Sequence, residues 1–233
     1  MASAPLHDAR PDGRRTAAAA RRRLREKEIL DATRALFDER GVRDAQIEDI
    51  ARAVGINRAI IYRHFSGKEE LFALTLVGYL DELAVRLQAT DDASSSPEDR
   101  LRSITATFAD YGLDYPAFVD CALTLMRRSG PELWEEVSEG AMYRLGRGIS
   151  ACLAIVSAAI QSGVESGVFR TRDVDLLANT LYASGLGALQ LARVGMLVRE
   201  EAPGVPATAK VSAQQVKEHL IAASVAMAVG APA

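Results

Sequence analysis

Apolar residues recur along this chain at intervals of three and four, and polar residues fill the positions between them. The first clear example runs from Ile29 to Phe37, whose apolar side chains fall on one face of a helix before Gly41 interrupts it. The same spacing, rather than the alternation of strands, continues through most of the 233 residues. The pattern therefore predicts an all-α protein.

A shorter helix followed by a sharp turn is predicted from residue 46 onward. Ile47, Ile50 and Val54 occupy one face of this helix, and Gly55 follows at once. Glycine at this place favours the left-handed conformation that ends a helix, because it has no Cβ to strain. We therefore expect the chain to turn sharply and continue into another element.

Asn57 is suited to begin the next helix, since its side chain can accept a hydrogen bond from a free backbone N–H. Ile61 and Phe65 form the buried stripe of this helix, and Ile56 can pack on Ile61 as a hydrophobic staple. The other side chains face outward and combine positive charge, a phenol and small apolar groups, which suits the major groove of DNA. These outward residues are Arg58, Ala59, Ile60, Tyr62 and Arg63.

Another helix is predicted to start directly after Phe65. Ser66 and Glu69 have the spacing of a capping box, and Lys68 lies in the first turn. The free backbone N–H groups of that turn, together with Lys68, can hold a phosphate group. The segments thus form a helix-turn-helix unit followed by a helix that runs on to about Leu87.

This unit resembles the helix-turn-helix domain of the TetR (tetracycline repressor) family of bacterial transcriptional regulators. The detailed motif spans roughly residues 25 to 72, and beyond it the resemblance is one of layout only. It implies a dimeric regulator, more often a repressor, that binds a palindromic operator in double-stranded DNA and is released by a small effector. The family pattern of Ala-x-x-x-Gly, Tyr-x-x-Phe and Lys-Glu-x-Leu is met by Ala51, Gly55, Tyr62, Phe65, Lys68, Glu69 and Leu71.

Three positions depart from the family pattern. Gln46 stands where Ser or Thr usually caps the second helix; losing such a cap costs about 0.5 to 2 kcal/mol, although Gln46 can still reach a phosphate. Ala59 replaces a common Gly, and Ile60 stands where Thr is frequent, so we hypothesise that Ile60 contacts a thymine methyl group. The resemblance also places His64 at the family's recognition-helix histidine, where it is expected to contact a phosphate or cap the turn.

The resemblance and the breaks in the pattern divide the chain into three parts. Residues 1–20 are predicted to be a flexible basic arm and residues 21–72 the DNA-binding domain. Residues 73–233 are predicted to be a larger helical domain for effector binding and dimerisation. Within it, Ser212 and Gln215 have the spacing of a capping box that begins the last helix.

Positive charge is concentrated in the N-terminal part, although the net charge of the whole chain is −3. Residues 1–72 hold 15 basic and 12 acidic side chains, so the DNA-binding domain attracts polyanions while the whole molecule does not. An arginine-rich arm can enter the minor groove, or it can be a solvated tail that attracts phosphate without specificity, and the sequence allows both. The arginines concerned are Arg10, Arg14, Arg15, Arg21, Arg22, Arg23 and Arg25.

Two consecutive helical segments, residues 148–166 and 174–199, are rich in small side chains such as Gly185, which allow helices to approach closely. Two such helix pairs can join across a twofold axis into a four-helix bundle, the usual dimer interface of the family that the chain resembles. A homodimer also suits DNA, since two recognition helices must lie about 34 to 36 Å apart to meet successive major grooves. The alternative is packing within one chain only.

Aromatic and sulfur side chains are concentrated between residues 108 and 143. In the family that the chain resembles, the helices that carry such residues enclose a pocket for a small effector. Most of them are expected in the core, and without a central cluster of charges the effector is expected to be apolar or amphipathic. The candidate pocket residues are Phe108, Tyr111, Tyr115, Phe118, Met126, Trp134, Met142 and Tyr143.

Other classes of protein find little support in the sequence. It has no pairing of nucleophile and base, no phosphate-binding loop and no metal-ligand spacing, so we predict neither an enzyme nor a cofactor or metal site. Cys121 and Cys152 lie in apolar helical runs, which indicates small buried residues of a reduced, cytoplasmic protein rather than a redox switch. No run reaches the roughly 18 uninterrupted apolar residues of a membrane span.

Two other functions are compatible with a helix-turn-helix unit and need no regulation by an effector. A nucleoid protein would bind many DNA sequences with similar affinity and would need no effector. A ligand carrier would have lost DNA binding, and the intact Arg58, Tyr62 and Lys68 argue against it.

Overall fold

The computed structural model describes residues 13–230, which form a helical protein with one short β-hairpin. The prediction of an all-α protein is confirmed apart from that hairpin. The described elements are α1 (Gly13–Arg40), α2 (Ile47–Val54), α3 (Arg58–His64), α4 (Lys68–Thr90), α5 (Pro97–Asp114), α6 (Pro116–Met126), α7 (Gly130–Glu136), α8 (Glu139–Glu165), α9 (Val174–Val194), β1 (Met196–Ala202), β2 (Val205–Lys210) and α10 (Ala213–Val229).

The first three helices pack around a small apolar core to which each contributes. Ile50 of α2 and Ile61 of α3 are buried in it. Gly55 ends α2 with φ 71° in the left-handed region, as the sequence predicts. Phe37 of α1 meets Phe72 of α4 edge to face, with ring centres 5.1 Å apart, so this unit is also fixed to the start of α4.

Helix α4 joins the first three helices to the rest of the protein. It packs against α1, α5, α6 and α8, and its inward-facing apolar side chains, from Leu71 to Leu87, are buried. The approach to α8 is close, because a Cβ placed on Gly148 would lie 3.3 Å from the side chain of Leu80. A second apolar cluster joins α5, α8, α9 and α10 and consists of Leu101, Ile160, Phe169, Ala178, Val225 and Ala228.

The helix predicted over residues 174–199 is wrong at its C-terminal end. α9 stops at Val194, because Gly195 takes a left-handed conformation with φ 70°. The chain continues as β1, reverses at Gly204 with φ 77°, and returns as the antiparallel strand β2. Glycines thus set both the end of the helix and the reversal, and helical spacing alone does not reveal this.

The flexible arm predicted over residues 1–20 is wrong for residues 13–20. Helix α1 already begins at Gly13, so residues 13–20 are helical. The reason is local, since the four alanines at positions 17–20 have the highest helix propensity of any residue type. The rest of the predicted arm, residues 1–12, lies outside the described residues.

Of the two predicted capping boxes, one is confirmed and one is wrong. Ser212 and Gln215 form the expected reciprocal box at the start of α10. At the start of α4, however, Gly67 is the N-cap and makes no side-chain hydrogen bond. The backbone N–H of Ser66 donates to Glu70 rather than to Glu69, because Glu70 points inward at this end of α4.

Both cysteines are buried and unpaired, as expected of small core residues. Burial raises the pKa of both thiols, that of Cys152 to about 12. Neither side chain therefore forms a reactive thiolate near neutral pH.

Among residues 13–230, one helix is long and apolar enough to cross a membrane by length and composition alone. This helix is α8, whose apolar residues are interrupted by polar ones such as Ser157 and Gln161 rather than forming an unbroken apolar run. Its buried residues face α4 and the second apolar cluster, and core helices commonly pass the same test.

Candidate nucleic-acid interface and apolar cavity

Helix α3 presents a continuous outer surface because its inner side chains belong to the core. Asn57 caps the helix as predicted, accepting the backbone N–H of Ala59 at 2.9 Å. Ile61 and Phe65 are buried and fix the helix in place. The exposed side chains are Arg58, Ala59, Tyr62 and Arg63, with Ile60 half-buried beside them.

The guanidinium of Arg58 does not point freely into solvent. Its Nη1 lies 2.9 Å from a carboxylate oxygen of Glu48 on α2. This hydrogen bond holds the pKa of Glu48 below its usual range, so the carboxylate is charged at neutral pH. The outer surface therefore carries one negative charge, that of Glu48, next to Arg58. This negative charge repels DNA phosphates.

Replacing Glu48 with Gln is expected to raise affinity for double-stranded DNA about two- to fivefold, because it frees Arg58 and removes a charge that repels phosphate. Fluorescence anisotropy at about 150 mM salt measures this change. The matched control is Glu39→Gln, which removes the same charge from an exposed residue paired with Arg40 on α1. Equal affinities of the Glu48 variant and the unmodified protein would contradict the prediction.

Two further predicted contacts lie at the edges of this surface. Gln46 occupies the N-cap position of α2 but makes no side-chain cap hydrogen bond, so its amide is free for a ligand. The ammonium of Lys68 is exposed at the first residue of α4 and lies 5.1 Å from the centre of the Phe72 ring. Positive charge and uncapped N–H groups thus coincide at the start of α4.

His64 at the end of α3 is half-buried, and its Nδ1 has no hydrogen-bond partner among residues 13–230. Burial and the positive charges of Arg22 and Arg25 hold the pKa of His64 below its usual value. The imidazole is therefore neutral at pH 7, and a contact from it to a phosphate would be a hydrogen bond without a charge.

A separate apolar cavity lies within the C-terminal helices, between α4, α5, α8, α9 and α10. Its volume is about 50 Å³. Pockets for larger ligands usually measure about 300 to 1,000 Å³, so this cavity must expand to hold one. It is lined by Leu83, Leu87, Ile104, Thr105, Phe108, Cys152, Leu153, Val156, Ala178, Leu181, Tyr182, Gly185, Leu220 and Ser224.

The polar groups at this cavity are few and uncharged. The Thr105 hydroxyl donates to the Ser224 hydroxyl at 3.1 Å, and Ser224 donates in turn to the carbonyl of Ile221 at 2.8 Å. Burial raises the pKa of Tyr182, so its phenol stays protonated. None of the side chains described as lining the cavity carries a charge, which favours a neutral ligand.

Of the eight side chains predicted for a pocket, only Phe108 lines this cavity. The other seven do not line it, because residue type does not tell which face of a helix a side chain occupies. Tyr111, Tyr115, Phe118 and Met142 pack in the main core instead. Met126, Trp134 and Tyr143 lie on the surface and are more than half exposed.

Sequence reasoning missed most of the residues that do line the cavity, including Leu83, Leu87 and Ser224. One residue in the sequence gave a signal of the cavity. Gly185 lies inside a helix, where glycine is about 1 kcal/mol less favourable than alanine, so a packing reason for it was expected. It suggested contact with a second chain, but Gly185 is buried and faces the cavity. A Cβ there would lie 2.6 Å from a ring carbon of Phe108.

Two sets of contacts connect the N-terminal unit to the helices that enclose the cavity. The first is the Glu70 latch, formed by Ser66, Glu70 and Ser138. The buried Glu70 carboxylate accepts the backbone N–H of Ser66 and the hydroxyl of Ser138, the N-cap of α8. Burial acts to raise the pKa of Glu70, but the hydrogen bonds from Ser138 and Ser66 outweigh it, and the pKa lies below its usual range.

The second set attaches α1 to α4 and α5. The guanidinium of Arg34 lies 4.3 Å from the centre of the Tyr79 ring and pairs with Glu82. The Tyr79 hydroxyl donates to Asp38 at 2.6 Å, and the Tyr111 hydroxyl donates to the carbonyl of Tyr79 at 2.9 Å. These contacts fasten α1 to α4, and the bond from Tyr111 fastens α4 to α5.

The glycine turn, the exposed surface of α3 and the immediate start of α4 define a helix-turn-helix protein. The family model described as "Bacterial regulatory proteins, tetR family" matches residues 29–75. The HTH-type transcriptional repressor KstR2 of Mycobacterium tuberculosis is 38% identical over 80 residues, which are 34% of this chain and 40% of KstR2. The sequence likeness to the TetR family of bacterial regulatory proteins thus lies in the N-terminal unit of the chain.

Solved structures extend the likeness to the whole fold. A bacterial regulatory protein of the tetR family from Rhodococcus RHA1 has a TM-score of 0.62 at 14% identity, covering 89% of this chain and 98% of that one. The ketosteroid transcriptional regulator KstR2 of Mycobacterium tuberculosis has a TM-score of 0.55 at 24% identity, covering 86% and 93%. At these identities the likeness concerns the fold alone, and the sequence match spans about two fifths of KstR2.

Proposed function

We propose that this protein is a transcriptional repressor that binds a palindromic operator as a homodimer and leaves it when a small, neutral, mainly apolar effector binds. The observation that carries the proposal is the outer surface of α3, which presents Arg58, Tyr62 and Arg63 from a rigid unit with Lys68 at its edge. The match of residues 29–75 to the tetR family model and the repressor KstR2 among the relatives support it. Such a protein acts in the cytoplasm and needs no cofactor.

Helix α3 enters the major groove in this proposal. Arg58, Tyr62 and Arg63 meet base edges and phosphates, and Ile60 meets a thymine methyl group. Gln46, His64 and Lys68 contact the phosphates on either side, since one lies at the start of α2 and the others lie at the end of α3 and the start of α4. These flanking phosphate contacts fix where α3 lies along the DNA and which base pairs it meets.

The homodimer forms through α8 and α9. Both helices expose small side chains that let another helix approach closely, among them Ala151 and Ala154 on α8 and Ala183 and Gly187 on α9. A twofold axis through this surface brings together two recognition helices, as a palindromic operator requires.

The effector binds in the cavity and is neutral, because burying a charge there without a partner would be very costly. A molecule with an apolar body and one or two hydroxyl or carbonyl groups suits the site, since Tyr182 and the pair of Thr105 and Ser224 offer hydrogen bonds. KstR2 is described as a ketosteroid regulator, and a molecule of that chemical kind meets both requirements.

Expansion of the cavity explains how the effector releases DNA. Leu83 and Leu87 of α4 form one wall, so a ligand larger than about 50 Å³ pushes α4 away from α5 and α9. The Glu70 latch and the Arg34 contacts transmit this movement to α3. The effector then favours the state in which the two recognition helices no longer match successive grooves.

The test is selection of fragmented genomic DNA from the source organism with the purified protein at near-physiological salt, followed by sequencing of the retained fragments. We expect one enriched palindrome whose half-sites are separated by about one helical turn. Uniform retention would instead indicate a nucleoid protein, and no retention a ligand carrier. Either result would overturn the proposal.

Replacing Gly185 with Ala is expected to weaken binding of a neutral apolar probe such as Nile red about tenfold. The new Cβ lies 2.6 Å from Phe108, so the ring must move, and the space beside it is the cavity. Fluorescence titration measures the change. Gly78→Ala is the matched control, since a Cβ there meets nothing within 4 Å; equal binding by both variants would contradict the prediction.

A further inference from the structure

Among residues 13–230, the hairpin of β1 and β2 is covered little by the rest of the chain: Leu197 lies beside α9 and α10, but no helix packs closely along either strand. Every residue of β1 is exposed, including Val198 at 81% and Met196 at 53%, and Val205 of β2 is 49% exposed. A two-stranded hairpin is marginally stable in water unless it packs against another surface. Apolar side chains on such an exposed ribbon therefore indicate a partner.

The path of the helices puts this hairpin on the DNA-facing side of the C-terminal helices. α8 begins beside the N-terminal unit, where Ser138 bonds to Glu70, and runs away from it. α9 runs back along α8, and its last turn is held by an ion pair of 2.6 Å between Arg193 and Asp120 of α6. The hairpin follows this turn directly, since Val211 donates its N–H to the carbonyl of Gly195 at 3.0 Å.

The exposed apolar surface of the hairpin continues that of α9. Leu191 and Val194 in the last turns of α9 are exposed, and Met196 and Val198 follow them. In a homodimer through α8 and α9, the twofold axis runs from the DNA side to the far side, so the two copies of this turn lie at the same height. Leu191 and Val194 fall on the same helical stripe as the exposed Ala183 and Gly187, so the proposed dimer surface of α9 leads directly into the hairpin.

The charges of the hairpin favour a protein partner over DNA. Arg199 and Lys210 are balanced by Glu200 and Glu201, so the ribbon has no net charge. We infer that the hairpin is a second dimerisation element, which packs against the hairpin of another copy of this chain across the twofold axis. The inference rests on the proposed homodimer and adds a contact outside the four-helix bundle.

The experiment compares Val198→Asp with Val85→Asp by sedimentation over a range of concentrations. Both valines are exposed in the single chain, Val198 at 81% and Val85 at 70%, so neither variant should unfold it. In a dimer, Val198→Asp places two like charges next to the axis. We expect its dimer dissociation constant to rise about tenfold or more, while Val85→Asp on α4 changes little.

A second measurement uses Val198→Cys and Val85→Cys under mild oxidation. Only Val198→Cys is expected to form a covalent dimer, and the native Cys121 and Cys152 are buried and give little background. A stable dimer that Val198→Asp does not weaken and Val198→Cys does not link would overturn the hairpin inference alone. A monomeric unmodified protein would overturn the proposed homodimer as well.

Discussion

Replacing Tyr62 and Arg63 together with alanine is expected to weaken binding to the selected operator by roughly 100-fold or more. One good contact to a base is worth about 1 to 3 kcal/mol, and the double variant removes two side chains from the centre of the outer surface of α3. Tyr62 is 53% exposed and Arg63 is exposed, so the unfolding free energy should stay nearly the same.

Anisotropy titrations over a series of salt concentrations separate the contribution of phosphate contacts from that of base contacts. Loss of Arg63 from a phosphate reduces the salt dependence by about one unit of slope, whereas loss of a base contact leaves the slope unchanged and reduces discrimination between operator and random DNA. The matched control is Tyr143→Ala with Arg147→Ala, an exposed tyrosine and arginine on α8. If both double variants bound the operator equally well, α3 would not be the recognition helix.

The sequence was sufficient to predict the N-terminal unit because local signals determine it. A left-handed glycine at position 55, a cap at Asn57 and the buried stripe of Ile61 and Phe65 each follow from neighbours within a few residues. The wrong capping box at Ser66 shows the limit of such signals. The backbone N–H of Ser66 is bound by Glu70 instead. Glu70 is held there by a second hydrogen bond, from Ser138, which is 68 residues away in the sequence.

The cavity could not be predicted in the same way, because its lining comes from five helices. Phe108 was expected there for its ring, yet Tyr111 three residues later turns into the core and bonds to α4. Which helical face meets a cavity depends on how α4, α9 and α10 pack, and periodicity contains no information about that. The hairpin was missed for a related reason: Met196 and Val198 fit the helical spacing of the preceding segment, and only the left-handed conformation of Gly195 ends α9 before them.

Replacing Glu70 with Ala is expected to lower the unfolding free energy by about 1 to 3 kcal/mol, because the partly buried hydrogen bonds from the N–H of Ser66 and the hydroxyl of Ser138 are lost. Glu70→Gln keeps one acceptor oxygen but turns an N–H₂ group toward the other donor, so it should lose about half as much. Urea unfolding measures both variants. Glu139→Gln, an exposed carboxylate next to Ser138, is the control and should change little.

The pH dependence identifies the charge of Glu70 as the source of this stability. The pKa of Glu70 in the folded protein lies below its ordinary value of 4.5, so the charged form is the stabilising one. Its contribution is complete above about pH 4.5 to 5 and is lost as the pH falls through the lowered pKa. The difference in stability between the unmodified protein and Glu70→Gln should therefore be constant from pH 7 to 5 and shrink below that; a difference that grew on acidification would contradict this assignment.

Replacing Glu70 is also expected to weaken the coupling between the cavity and the DNA-binding surface, separately from its effect on stability. If the Glu70 latch transmits the movement of α4 to α3, Glu70→Ala should reduce the ratio of operator affinities measured without and with a ligand bound in the cavity. By linkage, the effect of operator DNA on ligand affinity must shrink by the same factor. A purely structural role would lower stability yet leave this ratio unchanged, because both states of the regulator would be weakened alike. Measuring the ratio in both directions therefore separates a latch that couples two sites from a hydrogen bond that only holds two helices together.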